Sequence, residues 1–201
     1  MHRSLLVLPL LALLTACPTV KLGTVAVSDT APKKGTFTLA MDVVVEETDP
    51  TDGENGQPAS GRGVMGLHLP DGWSVVAARM KSPTEPVMRR LYPSPQSAGV
   101  FADTFPTVED PWWAFSSPEQ TIQQGKHTYR AEYDILVGGK AKAGDIGLLM
   151  TILQDDMTDL PAPSEFSVAM KGKKAVLKSK GTGAAATPGQ GAKGDKVPAG
   201  K

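Results

Sequence analysis

Apolar residues occupy every second position in two long stretches of the chain, 37–45 and 129–137, and mostly polar residues lie between them. A period of two over nine residues indicates a β-strand with one face on a core and the other in water. Shorter apolar segments predict five more strands, at 22–27, 64–69, 73–80, 146–153 and 166–170. The alternating apolar residues are Phe37, Leu39, Met41, Val43, Val45, Tyr129, Ala131, Tyr133, Ile135 and Val137.

Turn signals separate these segments. Pro70-Asp71-Gly72 lies between two predicted strands, and Gly138-Gly139 follows another. No stretch between 21 and 170 shows the period of an amphipathic helix of three turns. About seven strands in about 150 residues predict an all-β fold, a single antiparallel β-sandwich over residues 21–170.

One segment bears on the type of sandwich. Asp145-Ile146-Gly147 resembles the D-x-G-x-Y turn of immunoglobulin-like domains, although Leu149 stands where those domains have tyrosine. The resemblance implies an immunoglobulin-like β-sandwich. Cys17 is the only cysteine of the chain, so the inter-sheet disulfide of antibody domains is absent.

The N-terminus has the features of an export signal. A basic start, Met1 to Ser4, precedes an apolar run, Leu5–Leu14, that is too short for a permanent membrane-spanning helix. Leu14-Thr15-Ala16-Cys17 resembles the lipobox of bacterial lipoproteins. The resemblance implies a signal peptide at 1–16, an acylated Cys17 that anchors the chain to a membrane, and a tether at 17–20. The alternative is an ordinary secretory signal cut near Ala16. Pro18 differs from the aspartate associated with inner-membrane retention, which favours the outer membrane.

Charge is distributed unevenly. Residues 18–170 contain 12 Lys and Arg against 20 Asp and Glu, whereas residues 171–201 contain 8 Lys and one acid. The tail at 171–201 is rich in Lys, Gly and Ala and is predicted to be disordered. It would bind an anionic envelope polymer or a membrane surface, or else serve as a solubilising extension that folds back on the acidic body. Export argues against nucleic acid as a partner. The candidate lysines are Lys171, Lys173, Lys174, Lys178 and Lys180.

Residues 81–125 form a proline-rich stretch without a strand pattern, and it holds six of the eleven aromatic residues. A long loop of this kind favours a binding function. Its candidate ligand-binding residues are Arg89, Arg90, Tyr92, Trp112 and Trp113, because aromatic faces beside guanidinium groups suit a sugar, a peptide or a protein partner. The alternative is that the aromatic residues pack on the sandwich, with residues 112–115 as one more strand.

Evidence for catalysis or for a metal is weak. The acidic segments 48–56 and 154–159 offer oxygen ligands but lack the spacing of an EF-hand loop, so no metal and no cofactor are predicted. His68 should point away from the core and His127 begins a strand, and no nucleophile or zinc motif accompanies them. We therefore expect no enzyme, but a cell-envelope lipoprotein that binds another envelope protein or an anionic polymer, or that has a structural role. The alternatives are a carbohydrate-binding module that uses exposed Trp112 or Trp113, and a hydrolase without a recognisable motif.

Overall fold

The computed structural model of the chain describes residues 19–28, 35–47, 60–121, 123–139, 142–153, 160–171 and 174–180. Within these ranges the chain is built almost entirely of strands. They are β1 (Thr19–Ser28), β2 (Thr36–Glu47), β3 (Ser60–His68), β4 (Ser74–Lys81), β5 (Arg89–Arg90), β6 (Tyr92–Pro93), β7 (Trp112–Ser116), β8 (Gln120–Thr121), β9 (Gly125–Leu136), β10 (Ala143–Leu153), β11 (Ser164–Lys171) and β12 (Lys174–Ser179), with helix α1 (Pro95–Thr104) between β6 and β7.

The strands form two antiparallel sheets. The order in sheet 1 is β1-β2-β9-β4-β5, and the order in sheet 2 is β12-β11-β10-β3-β7-β6, with β8 pairing the start of β3. All seven strands predicted from apolar patterning are present, and the residues predicted as a strand at 112–115 belong to β7. The predicted all-β antiparallel sandwich is therefore confirmed.

A single main core joins the inner faces of both sheets. Phe37, Leu39 and Met41 enter it from β2, whereas Met65 and Leu67 enter it from β3. Ring contacts cross the gap between the sheets: the centroids of Phe115 in β7 and Tyr133 in β9 are 5.7 Å apart. Alternation places these side chains on one face of each strand, and burial of their apolar surface stabilises the sandwich.

The segment from β5 to β6 closes one side of the sandwich. Arg89–Arg90 pairs with β4 in sheet 1, and Tyr92–Pro93 pairs with β7 in sheet 2. Leu91, between them, is buried in the main core and donates its N–H to the Ala78 carbonyl at 2.9 Å. The proline-rich stretch thus begins as part of the sandwich.

Helix α1 was not expected from the sequence. It begins with Pro95, whose missing N–H and fixed φ suit the first turn of a helix, and it ends just before Phe105 and Pro106. Only Ser97 and Phe101 of the helix are buried, so its apolar face is too narrow to produce a clear helical period. Packing against sheet 2 therefore stabilises the helix more than the intrinsic helix-forming tendency of its residues does.

The outer face of sheet 2 carries a second apolar group, here called the outer cluster. It consists of Val64, Phe101, Trp112, Ala114 and Leu149. The Phe101 ring lies directly over Gly66, where an added Cβ would be 2.6 Å from the ring. The aromatic residues Phe101 and Trp112 therefore pack on the sandwich, as the alternative prediction held.

Two boundaries and one turn differ from the predictions. Strand β1 starts at Thr19, so the predicted tether at 17–20 is wrong for its last two residues, because Val20 pairs with Val45 of β2. The turn implied at Asp145 is not formed, since this residue lies inside β10. The predicted disordered tail at 171–201 is wrong for Lys171, which ends β11, and for Lys174–Ser179, which forms β12.

Strand β12 forms because a few apolar residues on one face are enough for an edge strand. Ala175 is part of the main core and Leu177 packs against it, while the backbone pairs with β11. The remaining tail residues, 181–201, lie outside the described residues. Among the residues that the structure describes, no helix is long and apolar enough to cross a membrane.

Candidate functional site: an apolar cleft between the sheets

The two sheets separate at the end of the sandwich where β1 begins, and an apolar cleft opens between their inner faces. Strands β1, β3 and β9 start at this end, and β2, β4 and β10 finish there. Val20, Val43 and Val45 of sheet 1 face Met65 and Met150 of sheet 2 across the cleft. Its volume is about 60 Å³.

Strand β3 creates this space because two of its successive inward positions are glycine. Met65 and Leu67 fill the main core at the inward positions that follow. Gly61 and Gly63 belong to the same alternating set, and both line the cleft. The nearest atom to an added Cβ on Gly63 would be Ser117 Oγ, at an unstrained 3.7 Å. The cleft is therefore the volume that two missing side chains leave between the sheets.

Hydrocarbon and thioether groups dominate the lining. Met65, Met80 and Met150 come from three strands in both sheets, and methionine side chains adapt to the shape of a ligand. Among the described residues, no Asp, Glu, Lys or Arg lines the cleft. This lining suits an uncharged apolar group, with its polar end held in water. The polar lining residues are Ser117, Gln120, Thr121, Gln123, His127, Tyr129 and Thr151.

The titratable groups of the lining do not form an acid–base pair. Burial raises the pKa of Tyr129, so its phenol stays protonated at neutral pH. His127 Nε2 lies 2.9 Å from the Gln124 carbonyl oxygen, to which it donates a hydrogen bond. In the described lining no carboxylate accompanies these two groups. The arrangement can bind and orient a ligand, whereas general acid–base chemistry would need a further partner.

A second set of polar side chains meets at His68, beneath Trp112 of the outer cluster. His68 Nε2 lies 2.9 Å from Glu165 Oε1, and its Nδ1 lies 3.9 Å from Asp110 Oδ2. The ring reaches Glu165 by passing over Gly147, where an added Cβ would be 2.0 Å from Nε2. His68 does face away from the main core as predicted, but it is only 4% exposed. This burial was not predicted, and it arises because Trp112 packs edge-on against the His68 ring.

Charged residues on the outer face of sheet 1 are paired with each other. Arg79 donates to Asp134 at 2.7 Å and to Glu132 at 2.8 Å, and Thr38 donates to Asp134 at 2.7 Å. The hydrogen bond with Asp134 contributes most to the raised pKa of Arg79. Arg130 pairs with Asp42 at 3.0 Å. These side chains hold β2, β4 and β9 together rather than presenting free charge.

The predicted ligand-binding residues of the proline-rich stretch are divided between surface and interior. Arg89, Arg90 and Tyr92 are exposed on the segment that closes the side of the sandwich, and Tyr92 is 57% exposed. Arg89 forms an ion pair with Glu85 at 2.5 Å. These three residues lie near one another because they are neighbours in the sequence, and not because the fold joins distant segments there.

The two tryptophans face opposite sides of β7. Trp112 is 9% exposed and belongs to the outer cluster, with its ring 5.5 Å from Phe101. Trp113 is partly buried and packs against the main core. Because adjacent positions of a strand point to opposite faces, only one of the two tryptophans can face the main core, and helix α1 and Phe105 pack over the other. Trp112 thus does not offer the exposed ring face on which the carbohydrate-binding alternative depended.

The predicted lysines are spread along the edge of sheet 2. Lys171 ends β11, and Lys174 and Lys178 lie in β12, all three exposed. Lys180 forms an ion pair with Asp145, whose pKa is lowered mainly by that hydrogen bond and further by one from Ser167. For Lys180 the structure shows the basic segment folded back on the acidic body.

Several predictions concern residues outside the described ranges. They are the lipidation of Cys17, the role of Lys173, and the acidic segments 48–56 and 154–159, for which no metal site was predicted. Within the described part of the chain, no three potential metal ligands lie close enough together to hold an ion.

The cleft was not predicted from the sequence. The signal was present in β3, where Gly61 and Gly63 continue the inward alternation of Met65 and Leu67. Inward glycines near the end of a strand indicate either a bend or a gap in the core. Only the facing strands decide between these two outcomes.

No protein-family model and no curated protein matches this sequence. Among solved structures, the chain is similar to the N-terminal domain of PorA, with a TM-score of 0.35 and 6% identity over 75% of this chain and 95% of that one. It is also similar to a collagen-binding domain from a Staphylococcus aureus adhesin, with a TM-score of 0.32 and 9% identity over 71% and 93% of the two chains. A third similar structure is the collagen-binding domain of surface protein RspB from Erysipelothrix rhusiopathiae, with a TM-score of 0.36 and 9% identity over 76% and 46%. Likeness at this level assigns neither a family nor a ligand to this chain.

Proposed function

We propose that this chain is a non-catalytic lipoprotein of a bacterial cell envelope, anchored through Cys17, whose sandwich binds an apolar ligand in the cleft between its sheets. The observation that carries the proposal is the uncharged cleft, built by Gly61 and Gly63 and lined by three methionines. Water in an apolar cleft finds few hydrogen-bond partners in the walls. An apolar ligand that fills the cleft gains dispersion contacts with those walls. Anchoring rests on the lipobox resemblance at Cys17, and Pro18 favours the outer membrane.

Ligand binding can be tested with methyl NMR on methionines. Met65, Met80 and Met150 line the cleft, whereas Met41 belongs to the main core but is not among the lining residues. In a titration with n-decanol, the methyl signals of the three lining methionines should shift with one common affinity, and the Met41 signal should stay in place. Shifts spread over all methionines, or no shift at saturating decanol, would count against the cleft as a binding site.

Anchoring needs a separate test. Cells that produce the full chain are fed an alkyne-labelled fatty acid, and the protein is examined for label and for membrane association. We expect both in the native sequence and neither in the Cys17→Ser variant. Label that persists in the variant would disprove Cys17 as the acylated residue.

A further inference from the structure

We propose that the cleft takes one alkyl chain of a phospholipid, which enters from the bilayer that holds Cys17. This inference rests on the proposed function and names the ligand class of the same site. The cleft has a volume of only about 60 Å³, which suits the end of an unbranched chain. Its lining carries no charge among the described residues, as an alkyl chain requires.

The distance from the anchor to the cleft supports a membrane lipid as the source. Strand β1 begins at Thr19, and Val20 already lines the cleft. Three residues of fully extended chain span at most about 10–11 Å, so the opening lies within that distance of Cys17. The polar zone of a bilayer is roughly 5–8 Å deep on each side. A lipidated Cys17 therefore keeps this end of the sandwich against the lipid headgroups.

The polar residues of the cleft agree with that orientation. Of the polar lining residues, Gln123 is exposed and Gln120 and His127 are half-buried, whereas Met65 is buried in the main core. Amide and imidazole groups at the opening can contact the ester and phosphate oxygens of a lipid whose chain end lies among the methionines. One direction of insertion follows, with the methyl end inward and the headgroup at the opening.

Photo-crosslinking in vesicles tests this geometry directly. The full lipidated protein is reconstituted into phosphatidylethanolamine–phosphatidylglycerol vesicles that contain a phospholipid with a diazirine at the end of one acyl chain. After illumination, mass spectrometry should locate the label on peptides containing Met65, Met80 or Met150. A lipid with the diazirine near the headgroup should label the peptide containing Gln120 and Gln123 instead. Crosslinks that do not change with the position of the diazirine would overturn the proposal.

A matched pair of variants strengthens the test. Gly63→Leu places a side chain in the cleft and should reduce chain-end labelling about tenfold or more, while Gly63→Ala fills little of the space and should retain most of it. Both variants are compared by circular dichroism, and the native-sequence comparison of the two lipids stands even if Gly63→Leu does not fold. Equal labelling of folded Gly63→Leu and Gly63→Ala would refute the assignment.

Two other results would also overturn the proposal. One is labelling by a free photoreactive fatty acid but not by the phospholipid; the other is labelling by a photoreactive chain incorporated at Cys17 itself. The decanol titration separates these failures from failure of the proposed function. Methionine shifts without lipid crosslinks would leave an apolar binding site in place with a different ligand.

Discussion

Gly147 is the position where a single methyl group should disturb the structure most clearly. An added Cβ would lie 2.0 Å from His68 Nε2, 2.2 Å from His68 Cδ2 and 2.9 Å from Glu165 Oε1. Gly147 does not have a positive φ, so its backbone would accept alanine without strain. The Gly147→Ala variant therefore tests how the paired side chains of His68 and Glu165 pack over β10.

The size of the effect follows from what the ring must give up. Displacing His68 breaks its hydrogen bond to the Glu165 carboxylate, and a bond to a charged group contributes about 1.5–3 kcal/mol. Overpacking of a tight site costs about 1–3 kcal/mol, and it partly overlaps with the first cost. We expect a loss of roughly 2–4 kcal/mol in the free energy of unfolding. For a chain of this size that corresponds to a fall of about 4–16 °C in Tm.

A double-mutant cycle with His68→Ala isolates the cause. Unfolding in urea is followed by far-UV circular dichroism and by tryptophan fluorescence, to which Trp112 beside His68 contributes. Once His68 is alanine, the Glu165 carboxylate has lost its partner and can move away from the methyl group at position 147, so the double variant should be about as stable as His68→Ala alone. Additive losses in the double variant, or a loss below about 0.5 kcal/mol for Gly147→Ala, would refute the reasoning.

Three further changes have expected outcomes. Tyr133→Phe removes a hydroxyl that is fully buried without a hydrogen-bond partner in the described part of the structure. The free energy of unfolding should therefore rise by up to about 1 kcal/mol in thermal unfolding, and a marked loss would contradict this. Gly66→Ala places a methyl group against Phe101 and should lower the free energy of unfolding by about 1–3 kcal/mol. The control is Gly99→Ala in helix α1, where nothing lies within 4 Å of the new Cβ and stability should rise by about 0.5–1 kcal/mol. Equal effects of the two variants in urea unfolding would disprove the close packing at Gly66. Lys180→Ala should raise the pKa of Asp145 towards its ordinary value of 3.8, measured by carboxyl-carbon NMR. Because the pKa of Asp145 is lowered in the folded state, the Lys180–Asp145 pair stabilises the fold above pH 3.8, and this contribution is lost as the pH falls through the lowered pKa. An unchanged titration of Asp145 in the Lys180→Ala variant would exclude the pair in solution.

The strands could be predicted from the sequence because alternation is a local property. Phe37, Leu39, Met41 and Val43 are buried as the alternation predicts, but Thr36, Thr38 and Ala40 on the opposite face are buried as well. Helix α1 and strand β12 were missed for the opposite reason. Their apolar faces are narrow, with Phe101 in one and Ala175 in the other, so contacts with distant strands stabilise them.

The candidate site shows the same division. The lipobox resemblance around Cys17 is contiguous in the sequence, so the anchor could be predicted there, and it stays a prediction. The cleft depends on Gly63 facing Val43 and Tyr129, residues that belong to three different strands of two sheets. No local pattern records which strands face each other. The sequence also offered Trp112 as an exposed ligand platform, and only the packing of Phe101 and Phe105 showed it to be covered.

By itself the sequence determined the strand content, the inward and outward faces of most strands, the acidic body with its basic end, and the expectation of an anchor at Cys17. Tertiary structure decided the rest: the order of strands in two sheets, the burial of His68 against Glu165, and the gap left at Gly61 and Gly63. The physical reason is that a period of two assigns each side chain to a face, while the neighbour across that face comes from residues tens of positions away. Whether a glycine leaves a gap or lets a ring approach closely is a property of that neighbour.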